Sequence, residues 1–101
     1  MKKIKVKYLK SFLERSKGLI GENKAFPILF KTRFGIHTFG MKYPIDVVIL
    51  DNLKIVKTKA NLQPNRTFFW NPIHNTVIEL PVGSLAEKGF KIGETITPEW
   101  E

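Results

Sequence analysis

The stretch Ile-Asp-Val-Val-Ile-Leu at positions 45–50 decides the fold of this chain. It is rich in β-branched residues, and it is apolar on both faces apart from one carboxylate, Asp46. Such a run favours a β-strand that is covered on both sides, near the centre of a sheet. Asp51 and Asn52 then indicate a turn, and residues 54–59 return with mixed alternation. The sequence therefore predicts a β-hairpin over residues 45–59.

Shorter elements extend outward from this hairpin on both sides. Alternation and short apolar runs predict strands at 4–8, 27–30, 35–39, 76–80 and 95–97. Two short helices are expected, one over residues 11–19 and one over residues 81–89, with Ser84 as a cap and Gly89 as the stop. We expect an α+β fold: a small, mainly antiparallel, barrel-like β-sheet with two short helices.

Length and composition limit the function classes. A chain of 101 residues is one domain, residues 1–101. The absence of cysteine excludes disulfides, thiol nucleophiles and iron–sulfur clusters. No apolar run approaches the ~18 residues of a membrane span, and no signal-peptide pattern follows the N-terminal lysines. We therefore expect a soluble cytoplasmic protein with no membrane span and no cofactor.

The positive charge is concentrated near the N-terminus. The net charge is +8, and residues 1–17 contribute seven basic side chains and one acidic one, or +6. The lysines of this segment are Lys2, Lys3, Lys5, Lys7, Lys10 and Lys17. They could neutralise the phosphates of a nucleic acid. Alternatively, the first four could be the solvated face and gatekeepers of an edge strand.

Two carboxylates occur within apolar strands. Asp46 lies in residues 45–50, and Glu79 lies in residues 76–80. A buried carboxylate is costly unless it is paired or hydrogen-bonded. The two could converge on a polar pocket, with Arg15, Arg33, His37 and Thr38 as candidate partners. Alternatively, each carboxylate could lie at a strand end and accept backbone N–H groups from a neighbouring loop.

Residues 61–75 form the least regular stretch, with two prolines, four asparagines and three consecutive aromatic residues. Phe68, Phe69 and Trp70 could stack on nucleic-acid bases or pack in the core. Alternation predicts that Phe68 and Trp70 face one side and Phe69 the other. The only histidines are His37 and His74. With no short-spaced pair of ligands, we predict no metal site.

Several short motifs together resemble a known family. They are Arg15-x-x-Gly18, Gly40-Met41 leading into Pro44-Ile45-Asp46, and Glu79-Leu80-x-x-Gly83. The order of these motifs resembles the uncharacterised conserved family called domain of unknown function 192, particularly its short, archaeal-looking members. The resemblance implies a compact α+β domain with a mostly antiparallel, barrel-like sheet, and it implies no established activity.

Three hypotheses follow from the residues and the resemblance. In the first, the protein is a binding or accessory domain whose polar pocket receives a small ligand or a peptide segment. The residues of that pocket are Arg15, His37, Thr38, Met41, Asp46 and Glu79. In the second, the basic N-terminal segment binds nucleic acid. In the third, the protein is a small hydrolase or lyase that uses Asp46 and Glu79 with His37 as acid and base. The first hypothesis also predicts that Asp46→Ala costs little stability.

Overall fold

The computed structural model of the chain describes residues 2–9 and 27–100. Within these residues there are eight strands and one short helix. They are β1 (Lys2–Tyr8), β2 (Ile28–Lys31), β3 (Gly35–His37), β4 (Ile45–Asp51), β5 (Lys54–Leu62), β6 (Thr67–Phe69), β7 (Thr76–Pro81), α1 (Ser84–Lys88) and β8 (Ile96–Trp100). Six strands form one sheet in the order β5-β4-β7-β2-β1-β8, and β3 pairs with β6 in a two-stranded ribbon.

Strand β4 lies between β5 and β7, and all of its residues except Asp51 are buried. The prediction of a central strand followed by a hairpin is therefore confirmed. The turn residues Asn52 and Leu53 both have positive φ, 47° and 74°. Two consecutive positive φ values suit the right-handed twist of a tight hairpin. Strand β5 runs on to Leu62, beyond the predicted end, and its pairing with β4 contains two register shifts.

The six-stranded sheet curls into a half-barrel, so that its two outermost strands, β5 and β8, come together at one point. The Ile55 N–H donates to the Glu94 carbonyl, and the Ile96 N–H donates to the Leu53 carbonyl, both at 2.8 Å. Pairings β1–β2 and β1–β8 are parallel, and the other four are antiparallel. The expected mainly antiparallel, barrel-like sheet is confirmed to this extent.

Two apolar clusters cover the two faces of the sheet. One includes Ile45, Val47 and Trp70, and we call that side the Trp70 face. The other includes Val48 and Phe90, and we call that side the Phe90 face. Because side chains alternate along a strand, β4 contributes to both clusters and ties them together.

The α+β expectation is only partly supported, since the described part of the chain is mostly β with a single short helix. The helix predicted over residues 11–19 lies outside the described residues, as do Lys10, Arg15 and Lys17. Within residues 2–9 and 27–100, no helix is long and apolar enough to cross a membrane.

One interpretation of the lysines in β1 required this strand to lie at an edge of the sheet, and it does not. It pairs with β2 on one side and with β8 on the other. Its side chains do alternate as predicted: Ile4 and Val6 are buried, and the lysines between and beside them are exposed. The exposed set is Lys3, Lys5 and Lys7.

Helix α1 is only five residues long, too short to be stable alone, so its ends need partners from elsewhere. The predicted stop is confirmed, because Gly89 ends the helix at φ 66°. The predicted Ser84 cap is wrong. The N-cap residue is Gly83, which has no side chain of its own to cap the helix, and the Ser84 hydroxyl donates to the Pro81 carbonyl at 2.5 Å.

Lys2 holds the C-terminal end of helix α1. Its ammonium group donates to the Lys88 carbonyl at 3.0 Å and to the Gly89 carbonyl. It also lies 3.3 Å from the Glu94 carboxylate. Desolvation raises the pKa of Glu94, but hydrogen bonds from the Lys91 N–H and from Lys2 outweigh it, so the pKa is lowered overall.

This ion pair predicts a pH dependence of stability. A carboxyl group with a lowered pKa in the folded state stabilises the fold above its unfolded pKa, near 4.5, and that stabilisation is lost as the pH falls through the folded value. We therefore expect Glu94→Gln to lose less unfolding free energy than the parent protein between about pH 5 and pH 3. Urea unfolding at each pH measures this, with Glu87→Gln on helix α1 as the control. Parallel pH profiles for parent and Glu94→Gln would contradict it.

Candidate functional site

Asp46 is a hub of backbone hydrogen bonds. One carboxylate oxygen accepts the Asn61 N–H at 2.9 Å, and the other accepts the N–H groups of Gly83 at 3.1 Å and Leu85 at 2.9 Å. The side chain is only 1% exposed. Gly83 presents its N–H group from the left-handed region, at φ 94°, which glycine adopts without strain. Asp46 therefore caps helix α1 from the neighbouring sheet and ties it to strand β5.

The strand register separates the two buried carboxylates. Val47 pairs with Glu79, so Glu79 shares the Trp70 face with Val47. Asp46 pairs with Leu80 and therefore lies on the Phe90 face. Both carboxylates are buried, as their apolar strands indicated, but the sheet lies between them. The prediction that they converge on one pocket is wrong.

Three other predicted residues lie at the end of β3 or shortly after it. The buried Thr38 hydroxyl donates to the Gln63 carbonyl at 2.7 Å and accepts the Arg66 N–H at 2.9 Å, which fastens the 63–66 loop. Met41 packs in the cluster of the Trp70 face. The His37 ring stacks on Phe39, with centroids 4.9 Å apart. Ligand binding by these residues stays a prediction.

A cleft of about 370 Å³ opens at the end of the half-barrel where β1, β4 and β8 end and β7 begins. We call it the end cleft. Its aromatic wall is Tyr8 and Trp100, whose rings meet edge to face with centroids 5.6 Å apart. Its polar lining is Lys31, Asp51, Asn52, His74, Asn75 and Thr76. Leu29 and Leu50 supply part of an apolar floor.

His74 is the most informative residue of the end cleft. Its Nδ1 is buried and has no hydrogen-bond partner among the residues that the structure describes. Its backbone is held firmly, because the His74 N–H donates to the Asn71 carbonyl at 3.0 Å and the His74 carbonyl accepts the indole N–H of Trp70 at 2.8 Å. A buried polar atom without a partner is costly, and His74 is one of the residues that line the end cleft.

Sequence reasoning did not identify the end cleft. It considered His74 only as a metal ligand, and within residues 2–9 and 27–100 no three His, Asp or Glu side chains gather to hold a metal. The available signal was the irregular Asn- and Pro-rich stretch around His74, since such segments are often functional. Tyr8 and Trp100 gave no signal, because they are far apart in sequence and meet only through the parallel pairing of β1 with β8.

Comparisons with known proteins identify a family and two solved structures with a similar fold. The family model DUF192, described as "Uncharacterized ACR", matches residues 1–98. A structure of a protein of unknown function from Novosphingobium aromaticivorans is 18% identical, with a TM-score of 0.74 over 87% of this chain and 70% of that one. A proposed transcription regulator from Sinorhizobium meliloti is 17% identical, with a TM-score of 0.73 over 89% of this chain and 78% of that one.

These two solved relatives come from bacteria, so the expected likeness to archaeal members is not borne out. No curated protein matches the chain. At these identities the two structures are similar to this chain in fold alone.

Proposed function

Since the chain belongs to the DUF192 family, whose description assigns no activity, we propose that it is a small binding domain whose ligand occupies the end cleft. The observation that carries this proposal is the end cleft itself, whose lining combines the Tyr8–Trp100 aromatic wall with His74, a residue whose Nδ1 has no hydrogen-bond partner within the described residues. A volume of about 370 Å³ lies within the ordinary range for small-ligand sites.

The lining of the end cleft defines the ligand class. Tyr8 and Trp100 offer ring surfaces to an apolar, planar body, because aromatic pairs gain from edge-to-face or offset contact. His74 and Asn75 offer hydrogen-bonding groups, and Lys31 offers a positive charge, with the Asp51 carboxylate also in the lining. A small aromatic molecule with a carboxylate or carboxamide, free or as the side chain of a short peptide, combines these features.

Asp46 acts in this proposal as a positioning residue for helix α1, not as a ligand-binding group. Both of its oxygens already accept backbone hydrogen bonds. The hydrolase or lyase alternative required Asp46, Glu79 and His37 in one cleft, and the register of β4 and β7 separates the two carboxylates. The binding hypothesis is therefore retained with a different pocket.

The proposal predicts ligand-induced stabilisation that depends on the cleft. We expect some member of a probe set of aromatic carboxylates, aromatic carboxamides and aromatic dipeptides to raise the Tm by about 5 °C at tenfold excess over its Kd. The shift should be lost in Trp100→Ala and in His74→Gln, whose amide replaces Nε2 but not Nδ1. His74→Asn, whose amide replaces Nδ1, should retain part of it.

Ile92→Ala is the matched control, because Ile92 is exposed and does not line the end cleft. This variant should keep the full shift in Tm. The proposal fails if no probe shifts the melting curve, or if Trp100→Ala and His74→Gln respond to the probes like the parent protein. Two-dimensional NMR of the imidazole nitrogens would report contact with His74 directly.

A further inference from the structure

The β3–β6 ribbon presents aromatic rings to solvent. Ile36 pairs with Phe68, and both pack against the Trp70 face, so their neighbours Gly35 and Phe69 point outward. Phe69 is 62% exposed, and its ring lies so close over Gly35 that a Cβ there would meet Phe69 Cδ1 at 2.5 Å. The predicted alternation of Phe68 and Phe69 is therefore confirmed. Phe69 therefore lies against Gly35 on the surface and is not available to the core.

Two further phenyl rings flank Phe69. Phe34 is 66% exposed and Phe39 is 51% exposed. Together with Phe69 they line a concave surface of about 280 Å³. His37 lies in the same concavity and stacks on Phe39. Exposing three phenyl rings in one small area is unfavourable in water and is typical of a contact surface.

Basic residues adjoin this aromatic surface. Arg33 lines the aromatic concavity, and Lys59 and Arg66 line a second, shallow cleft of about 190 Å³. Thr67 lines both, so the two concavities adjoin. Lys57 reaches the ribbon as well, donating to the Phe69 carbonyl at 2.7 Å.

We propose that the outward face of the β3–β6 ribbon binds single-stranded nucleic acid. Exposed aromatic rings stack on unpaired bases, and the neighbouring basic side chains attract the phosphates. A single strand fits better than a duplex, because stacking on Phe34, Phe39 or Phe69 requires a free base face. This surface differs from both the end cleft and the N-terminal lysines, of which Lys2 is occupied at the end of helix α1.

The test uses the full chain with fluorescein-labelled oligo(dT) and oligo(U) of 15 nucleotides, followed by fluorescence anisotropy at about 150 mM salt. Phe69→Ala and Phe39→Ala should each weaken binding about fivefold or more, the effect of losing one base–aromatic stack. Arg66→Gln should reduce the slope of log K against log salt by about 0.7, the value for one phosphate contact with a single strand. Thermal melts check that each variant is folded.

Two matched controls lie away from the ribbon. Trp100→Ala removes an exposed aromatic ring at the end cleft, and Lys5→Gln removes an exposed charge on β1; both should keep the parent affinity within about twofold. The proposal is overturned if neither oligonucleotide binds, if the phenylalanine variants bind normally, or if Lys5→Gln has the larger effect. It is also overturned if the same phenylalanines are required instead for binding to phosphatidylserine vesicles. Retained binding to oligonucleotides in Trp100→Ala would separate this surface from the end cleft.

Discussion

Asp46→Ala is expected to lower the free energy of unfolding by about 3–5 kcal/mol, a large fraction of what a domain of this size has. The substitution leaves the N–H groups of Asn61, Gly83 and Leu85 without their acceptor in a buried place. Each such group then bears a desolvation penalty of about 1–3 kcal/mol, of which local rearrangement and water recover part. The sequence-based pocket hypothesis predicts the opposite, that Asp46→Ala costs little stability.

Urea denaturation measures the effect. The matched control is Asp51→Ala, the same substitution on the same strand at its exposed end, which should change the unfolding free energy by less than about 0.5 kcal/mol. Amide hydrogen exchange should also show faster exchange in helix α1 for a variant that still folds, such as Asp46→Asn. Equal stability of Asp46→Ala and the parent protein would show that the three backbone bonds are not important for the fold.

Trp70→Ala is expected to cost about 3–5 kcal/mol of unfolding free energy, the usual range for removing a buried tryptophan. Trp70 is buried in the cluster of the Trp70 face. Its backbone N–H donates to the Phe34 carbonyl at 3.0 Å, and its indole N–H donates to the His74 carbonyl at 2.8 Å. Trp70 therefore bonds Phe34 through its backbone and the loop that contains His74 through its side chain, and only the second bond is lost in Trp70→Ala.

Trp70→Phe separates packing from hydrogen bonding, because it keeps an aromatic ring and loses the donor to His74. We expect it to cost less than Trp70→Ala and still to disturb the His74 resonances in NMR spectra. Trp100→Ala is the matched control, since Trp100 is 60% exposed and its loss should cost less than about 1 kcal/mol. Because the chain has two tryptophans, Trp100→Phe also leaves Trp70 as the only fluorescent indole. Similar stabilities of Trp70→Ala and Trp100→Ala would contradict this assignment.

The strands of the main sheet were largely predictable because each carries a local pattern. Residues 45–50 are apolar on both faces, and the structure places β4 inside the sheet with both faces covered. Strand β6 was not predicted as an element. Thr67–Phe69 lies among prolines and asparagines, and it becomes a strand only because β3, far away in sequence, pairs with it.

The end cleft could not be predicted from local patterns for the same reason. Tyr8 and Trp100 form one wall through the pairing of two strands at opposite ends of the chain. The mode of stabilisation of Asp46 was left open between a shared pocket and backbone hydrogen bonds. The structure favours backbone hydrogen bonds, because the N–H group of Gly83, 37 residues further along the chain, donates to the Asp46 carboxylate.

By itself, the sequence determined most of the strands of the main sheet, that two carboxylates lie within apolar strands, and which neighbours each carboxylate would share a face with inside its own strand. Only the tertiary structure decided that Asp46 and Glu79 lie on opposite faces of the sheet. Alternation sets the relative orientation of side chains within a strand, but the phase between two strands depends on how they pair. Here Val47 pairs with Glu79, and a slip of one residue would have brought the carboxylates onto the same face.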